Sequence, residues 1–337
     1  DEAQYAKNIA SHLGTNHTEL YVTAKDAQNV IPELPKIYDE PFADSSQIPT
    51  YLVSKFAKKK VTVCLSGDAG DELFGGYNRY IWLSKIHSIP IPIRNILSFS
   101  INRLSPTVWS KILNSFNPIT PKKFKINMPG DRLHKLGNLL KTSSYEDTYN
   151  NFISTWNNPK DVLINNKLLT GSESYWKDFD FIKDHKMRMM ILDILNYLPN
   201  DILCKLDRAA MSNSLETRVP FLDINVINFS MNLPLNMKIR NNKGKWIVRK
   251  LLNKYVPKKL FDRPKMGFGI PIDNWLRHDL KEWASDLINQ KNGVNHDYFD
   301  RNTIKMMWNE HLSGKNNWQY HLWNILSFDS WYIKNKK

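Results

Sequence analysis

Apolar residues recur at two spacings in the N-terminal part of this chain, and the switching between them predicts alternating helices and strands. Ile9 and Leu13, four apart and followed by Gly14, predict an amphipathic helix over 5–13 with a glycine stop. Leu20, Tyr21 and Val22 predict a strand over 17–23. Ala27, Val30, Ile31 and Leu34 return to helical spacing over 26–38, disturbed by Pro32 and Pro35. A further helix is expected over 50–59. Residues 61–65, Val-Thr-Val-Cys-Leu, are β-branched and apolar, as a buried parallel strand should be. Such alternation predicts an α/β fold with a doubly wound parallel sheet.

The pattern changes after Tyr80. Pro90, Pro92 and Pro106 punctuate short apolar helices, and Pro118, Pro121 and Pro129 come next among lysines and asparagines. A variable helical insertion is expected over 86–175, with Trp109, Trp156 and Trp176 as core anchors. Met187, Met190, Ile191, Ile194, Leu195 and Leu198 then form a helical stripe whose expected role is packing. Residues 201–212 repeat the theme with Asp207 and Arg208 embedded, and 275–331 reads as helical and aromatic. The expected organisation is a partial α/β core over 1–85, the insertion, and a helical portion over 176–337.

The chemistry gathers where the 61–65 strand ends. Ser66-Gly67 breaks it, and Asp68, Asp71 and Glu72 come after it at helical offsets that place them on one face. Ligands of parallel sheets bind beyond the carboxyl ends of strands. Free N–H groups at a helix start suit phosphate, and carboxylates there suit magnesium. The same acids also read as an N-cap and helix-dipole partners. Ser66-Gly67 before them and Gly75-Gly76 after them tilt the reading toward close ligand approach. Lys265, in a loop with Pro264, Gly267 and Gly269, reads either as a charge that closes on phosphate or as a solvated turn residue. The loop over 39–49 has turn chemistry throughout.

Composition narrows this reading. A length of 337 residues suits one large domain or two moderate ones. There is no apolar run of about eighteen residues, the length a membrane helix needs. Asp1-Glu2-Ala3-Gln4 is no signal peptide, and without a leading methionine the chain reads as a fragment or processed piece. Two cysteines, Cys64 and Cys204, make neither a disulfide framework nor a zinc cluster, so a reducing cytoplasm fits. His12 and His17 lack a metal-ligand spacing. The net charge of +14 invites a nucleic-acid reading. The lysines are scattered, however, and no helix-turn-helix, zinc finger or aromatic RNA-binding signature accompanies them. A solvated basic face is expected, and it also favours an anion such as ATP.

Four segments carry a resemblance. Ser66-Gly67-Asp68-Ala69-Gly70-Asp71-Glu72-Leu73-Phe74-Gly75-Gly76-Tyr77 resembles the second ATP-site motif of glutamine-dependent asparagine synthetases, of the PP-loop ATP pyrophosphatase superfamily. Asp39-Glu40-Pro41-Phe42-Ala43-Asp44-Ser45-Ser46-Gln47-Ile48-Pro49 resembles the segment before it. Residues 198–203, 205–208 and 214–223, and Arg263-Pro264-Lys265-Met266-Gly267-Phe268-Gly269, resemble the helical part and the late lysine loop. The resemblance spans nearly the whole chain. It implies the remainder of an adenine nucleotide alpha-hydrolase-like sheet followed by a large all-helical portion.

It also implies ATP and Mg²⁺ as cofactors and a two-step amide synthesis. A side-chain carboxylate is adenylated, and ammonia then attacks the acyl-adenylate. Ser66 and Gly67 would contact ATP, and Asp71 would hold magnesium. Asp68 stands where many members carry the longer glutamate that serves the acyl-adenylate step, and Lys265 would steady pyrophosphate and the intermediate. Asp44, Ser45, Ser46 and Gln47 would lie beside the acceptor. Glu72, Asp207, Arg208, Glu216 and Arg218 would be structural or line the ammonia path, with ion pairs the first choice for the last four. Implied partners are aspartate or another carboxylate, ammonia from a glutaminase domain, and a second copy in a homodimer.

Two family parts are missing between residues 1 and 337: the Ser-Gly-Gly-x-Asp-Ser phosphate loop and the glutaminase domain, whose cysteine neither Cys64 nor Cys204 can replace. The chain alone is therefore expected not to turn over ATP. Three functions remain open at this point: the synthetase half of an asparagine synthetase, the same chemistry on a sugar acid in surface-polysaccharide biosynthesis, and a non-enzymatic basic scaffold or RNA-binding module.

Overall fold

A computed structural model of the chain describes residues 3–115, 128–156, 158–164, 175–262, 269–290 and 297–335. The chain divides into two units: Asp1–Tyr38 with Asp44–Ile81 and Ile182–Ile270, and Asp39–Ala43 with Trp82–Phe181 and Pro271–Lys337.

The first unit opens with the helix Ala3–Leu13, which stops at Gly14 in the left-handed region (φ +64°). Residues 17–23 form no strand, contrary to the alternation, and Tyr21 is largely exposed. A strand needs a ladder partner, and this segment has none among the described residues. Thr23 instead closes a capping box with Asp26 at the helix Ala24–Gln28. The helix expected over 26–38 is divided at its prolines into Ala24–Gln28, a 3₁₀ turn at Ile31–Glu33 and Leu34–Tyr38. The next helix, Gln47–Lys58, leads into strand β1, Val63–Leu65.

β1 pairs in parallel with β2, Glu216–Arg218, with Cys64 opposite Thr217. Two strands are all that the described residues contribute, so the sheet is a parallel pair rather than a displayed doubly wound sheet. Nor is β1 buried: Leu65 is 72% exposed and Val63 37%. The apolar run fixes a strand, but burial depends on what covers its faces.

The segment after β1 is buried. Ala69, Leu73, Phe74 and Leu198 form a core patch, with Ile194, Ile202 and Val248 against it. Phe74 meets Phe221 edge-on at 5.7 Å between ring centroids. Side chains of this size contribute about 1.5–3 kcal/mol each when fully buried. The short helix Gly70–Phe74 is thus pinned by its apolar side.

The long helical segment is also irregular. The α-helix His185–Leu192 widens into a π-helix, Asp193–Leu203, and tightens again as Cys204–Met211. The π-helix contains Pro199, which has no N–H to donate. Residues five apart then share a face, so Asp193 and Leu198 are both buried while Leu195 of the expected stripe is exposed.

The second unit is helical among its described residues. It includes Ile91–Asn102, Pro106–Ser115, Pro129–Leu140, Arg301–Ser313 and Gln319–Asn335. Trp176 is buried, Trp109 donates to the Ile101 carbonyl at 2.7 Å, and Trp156 stands edge-on to His321.

Candidate active site

Beyond β1 the backbone turns sharply. Ser66 N donates to the Arg218 carbonyl at 2.8 Å, extending the ladder by one bond. The Ser66 hydroxyl donates to Asp68 Oδ2. Ala69, buried and at φ +64°, occupies the left-handed region as N-cap of Gly70–Phe74. A non-glycine residue there costs about 1–2 kcal/mol, which the surrounding core offsets. Asp68 therefore precedes the helix and Asp71 lies inside it.

Asp71 meets a residue that local sequence did not single out. Its Oδ1 lies 3.1 Å from Lys245 Nζ, with the two side chains 22% and 31% exposed. Lys245 is the left-handed N-cap of the helix Trp246–Leu252, and its N–H donates to the Phe74 carbonyl at 2.9 Å. Glycine explains the close approach. A Cβ on Gly76 would collide with Asp71 Oδ1 and Lys245 Cε, and one on Gly244 with the Gly75 carbonyl. Gly75-Gly76 thus serves contact between two protein segments, where the sequence suggested contact with a ligand. Gly67 is different: among the described residues, a Cβ there would meet nothing within 4 Å.

Glu72 turns away from Asp68 and Asp71 instead of sharing their face. It is buried, and Tyr77 donates to its Oε1 at 2.6 Å. Burial, with the charges of Asp71 and Asp193 adding to it, raises its carboxyl above the usual range. Behind it Arg79 pairs with the fully buried Asp193 at 2.9 Å, and Tyr80 donates to the same oxygen at 2.5 Å. The Arg79 guanidinium lies 4.2 Å from the Tyr77 ring centroid and 4.6 Å from that of Tyr197. This network is buried and tightly paired, and reads as structural.

A second polar group gathers at the 39–49 loop. Asp44 accepts from Ser46 N at 2.8 Å and from the Ser46 hydroxyl at 2.9 Å, and Lys205 Nζ lies 2.5 Å from its Oδ2. Gln47 is fully buried, and Ser45 Oγ lies 3.9 Å from where a Cβ on Gly269 would stand. Gly269 ends the lysine loop. Lys265 itself lies outside the described residues.

The other expected residues scatter. Glu216 and Arg218 pair with each other at 2.7 Å on exposed β2. Arg208 donates to the Tyr38 carbonyl at 2.6 Å, and Asp207 is exposed. Among the described residues no group of three or more His, Cys, Asp or Glu side chains is placed to hold a metal. Magnesium is usually held by one or two carboxylates together with substrate phosphates. Asp71, half-buried and already facing a cation, fits that sparser role. Lys245 and Lys205, which contact Asp71 and Asp44, and Asp201 near Asp44 were not among the candidate residues read from the sequence. Gly244-Lys245 opening a helix, and Asp201 four residues before Lys205, were the available signals.

A family model described as asparagine synthase matches residues 1–333. Asparagine synthetase [glutamine-hydrolyzing] 1 of Bacillus subtilis is 30% identical over 99% of this chain and 50% of that protein. A putative asparagine synthetase [glutamine-hydrolyzing] of Mycobacterium bovis is 30% identical over 98% of this chain and 48% of that protein. Amidase chry2 of Gibberella zeae is 22% identical over 89% of this chain and 46% of that protein. The chain spans about half the length of these curated relatives.

Proposed function

The chain belongs to the asparagine synthase family, and from that premise we propose that it is the synthetase part of an ATP-dependent amidotransferase that forms asparagine. The observation that carries this reading is the Asp71–Lys245 pair, with Asp71 in the short helix that follows the carboxyl end of a parallel strand. We read β1 and β2 as part of a doubly wound sheet in the whole protein.

The aspartate side-chain oxygen attacks the α-phosphorus of ATP, and the bond to pyrophosphate breaks. The nitrogen of ammonia then attacks the acyl carbon, the bond to AMP breaks, and a proton leaves nitrogen. Ser66 and Gly67 would meet the nucleotide, with the missing side chain of Gly67 leaving room for it. Bound magnesium would neutralise phosphate charge, and Asp71 would hold it. Lys245, paired with Asp71, would offer its ammonium to phosphate oxygens, and Lys265 is assigned the same leaving group. Asp68, kept in place by Ser66, is the candidate proton acceptor. The loop from Asp44 to Gln47 takes the acceptor molecule, and ammonia comes from a glutaminase domain.

A sugar acid is the second acceptor reading. The relative named as an amidase supports only the weaker point that similar chains occur in proteins not named as asparagine synthetases. ATP–pyrophosphate exchange tests the whole scheme. The full-length parent should exchange label when aspartate is present, and Asp71→Asn should lower the rate by about 10²-fold or more. The present chain alone should give no exchange, because no Ser-Gly-Gly-x-Asp-Ser loop occurs in it. Exchange supported by a uronic acid but not aspartate would move the assignment to the second reading. Exchange in neither case would end both.

A further inference from the structure

The loop that the proposed function assigns to the acceptor is held by groups that no part of that mechanism uses. Asp44 is gripped by Lys205 Nζ at 2.5 Å. Asp201, one turn before Lys205, lies within hydrogen-bonding reach of the same Asp44 carboxylate. Asp201 Oδ1 is buried and has no hydrogen-bond partner among the described residues. An ionised carboxylate with an unmet buried oxygen is costly, whereas a protonated one that donates to its neighbour is not. Asp201 also belongs to the π-helix Asp193–Leu203, a distortion that recurs at functional sites.

We propose that Asp201 and Lys205 are positioning residues for the acceptor loop, both acting on Asp44 and so fixing Ser45 and Ser46. The charges set how the grip works. Facing Asp201 are Asp44 from the loop, Lys205 from the helix Cys204–Met211, Arg79 from Asn78–His87, Tyr38 from Leu34–Tyr38, and Tyr197 of its own helix, with Cys204 nearby. Burial resists charge on Asp44, but Lys205 and the Ser46 donors outweigh it and keep its carboxyl below the usual range. Burial, then the Asp44 charge, push Asp201 up to about 7. Tyr38 and Tyr197 are raised by burial and stay protonated.

Below that point the pair carries one negative charge and one shared proton, and Lys205 balances it. Above it, two carboxylates face one ammonium and repel. The sign comes from linkage: a carboxyl raised in the folded state favours folding at low pH, and its contribution is lost as pH rises through the folded value. The loop is therefore tightest in mildly acidic solution and loosens above neutrality. The loop's ligand rests on the proposed function; the clamp itself does not.

Hydrogen exchange of the present chain, followed by mass spectrometry over a peptide containing Ser46 and Gln47, tests this directly. After correction for intrinsic rates, protection should fall about tenfold between pH 6 and pH 8.5, as one ionisation predicts. Asp201→Asn, whose amide donates to Asp44 at any pH, should keep protection nearly constant. Lys205→Met should lose it at both pH values, and Lys205→Arg should restore part of it. In the full-length parent, the same pH dependence should appear in KM for the acceptor rather than kcat. It should vanish in Asp201→Asn. Protection that does not change with pH in the wild type, or that falls equally in Asp201→Asn, overturns the clamp. A parent that forms no amide at all removes the proposed function and leaves the exchange result to decide the clamp.

Discussion

Two acid–base pairs join the stretch after β1 to the later helical segments, and they differ in almost every physical respect. Arg79–Asp193 is closed. Asp193 has no exposed side-chain surface, Tyr80 donates to the oxygen that Arg79 also holds, and two tyrosine rings flank the guanidinium. Asp71–Lys245 is open. Its partners are 3.1 Å apart, and both retain surface that faces water. The first pair can exchange its partners only at great cost. The second is within reach of solvent and can exchange its contact far more readily. Similar residue types in one unit thus have different freedom, and burial rather than charge decides which.

The comparison is broken most forcefully at Asp193. Asp193→Ala would leave Arg79 buried without its counter-ion, and breaking such a pair costs about 3–5 kcal/mol. Urea unfolding of the chain should show that loss as a lower midpoint with little change in slope. The double variant Arg79→Met with Asp193→Leu should recover most of it, because a buried pair replaced by apolar residues of similar volume is often neutral. A loss below about 1 kcal/mol for Asp193→Ala would show that this pair is as dispensable as a surface one.

How far the sequence reaches obeys the same division. The turn after β1 was legible because Ser66-Gly67 interrupts a β-branched run and the acids come at once. The exposure of Leu65 was not, since a strand's pattern reports its conformation and not what lies over it. The helical stripe through Leu198 was readable as packing. Asp193 was hidden by the π-helix, which shifts the phase that a 3.6-residue period assumes. Pro199 was the mark of that shift. Lys245 was invisible as the partner of Asp71, because nothing local links two residues so far apart in sequence. Only the glycines on both sides, Gly76 and Gly244, hinted that two backbones meet. The loop over 39–49 looked like a turn, and Lys205, which holds Asp44 within it, lies far along the chain.

Gly76 sharpens the comparison at intermediate size. Gly76→Ala adds one methyl group where Asp71 Oδ1 and Lys245 Cε already stand. Overpacking of this kind typically costs about 1–3 kcal/mol. The open pair should absorb part of it by swinging toward solvent, so the loss should sit at the lower end of that range. A cost above it would mean that Asp71 and Lys245 are held as rigidly as Arg79 and Asp193.

The smallest effect is the most discriminating. A double-mutant cycle on Asp71→Asn and Lys245→Met in the isolated chain should give a coupling energy of about 0.2–1 kcal/mol, the range for partly exposed pairs. The same coupling should shrink as salt is raised, since the pair is within reach of solvent ions. The cycle on Arg79→Met and Asp193→Leu should exceed it and respond less to salt. If instead Asp71–Lys245 proves the stronger and salt-insensitive pair, it is a structural tie. A contact that stabilises the resting protein so firmly would have to be broken before either group could serve a nucleotide, and that cost would count against every step assigned to them.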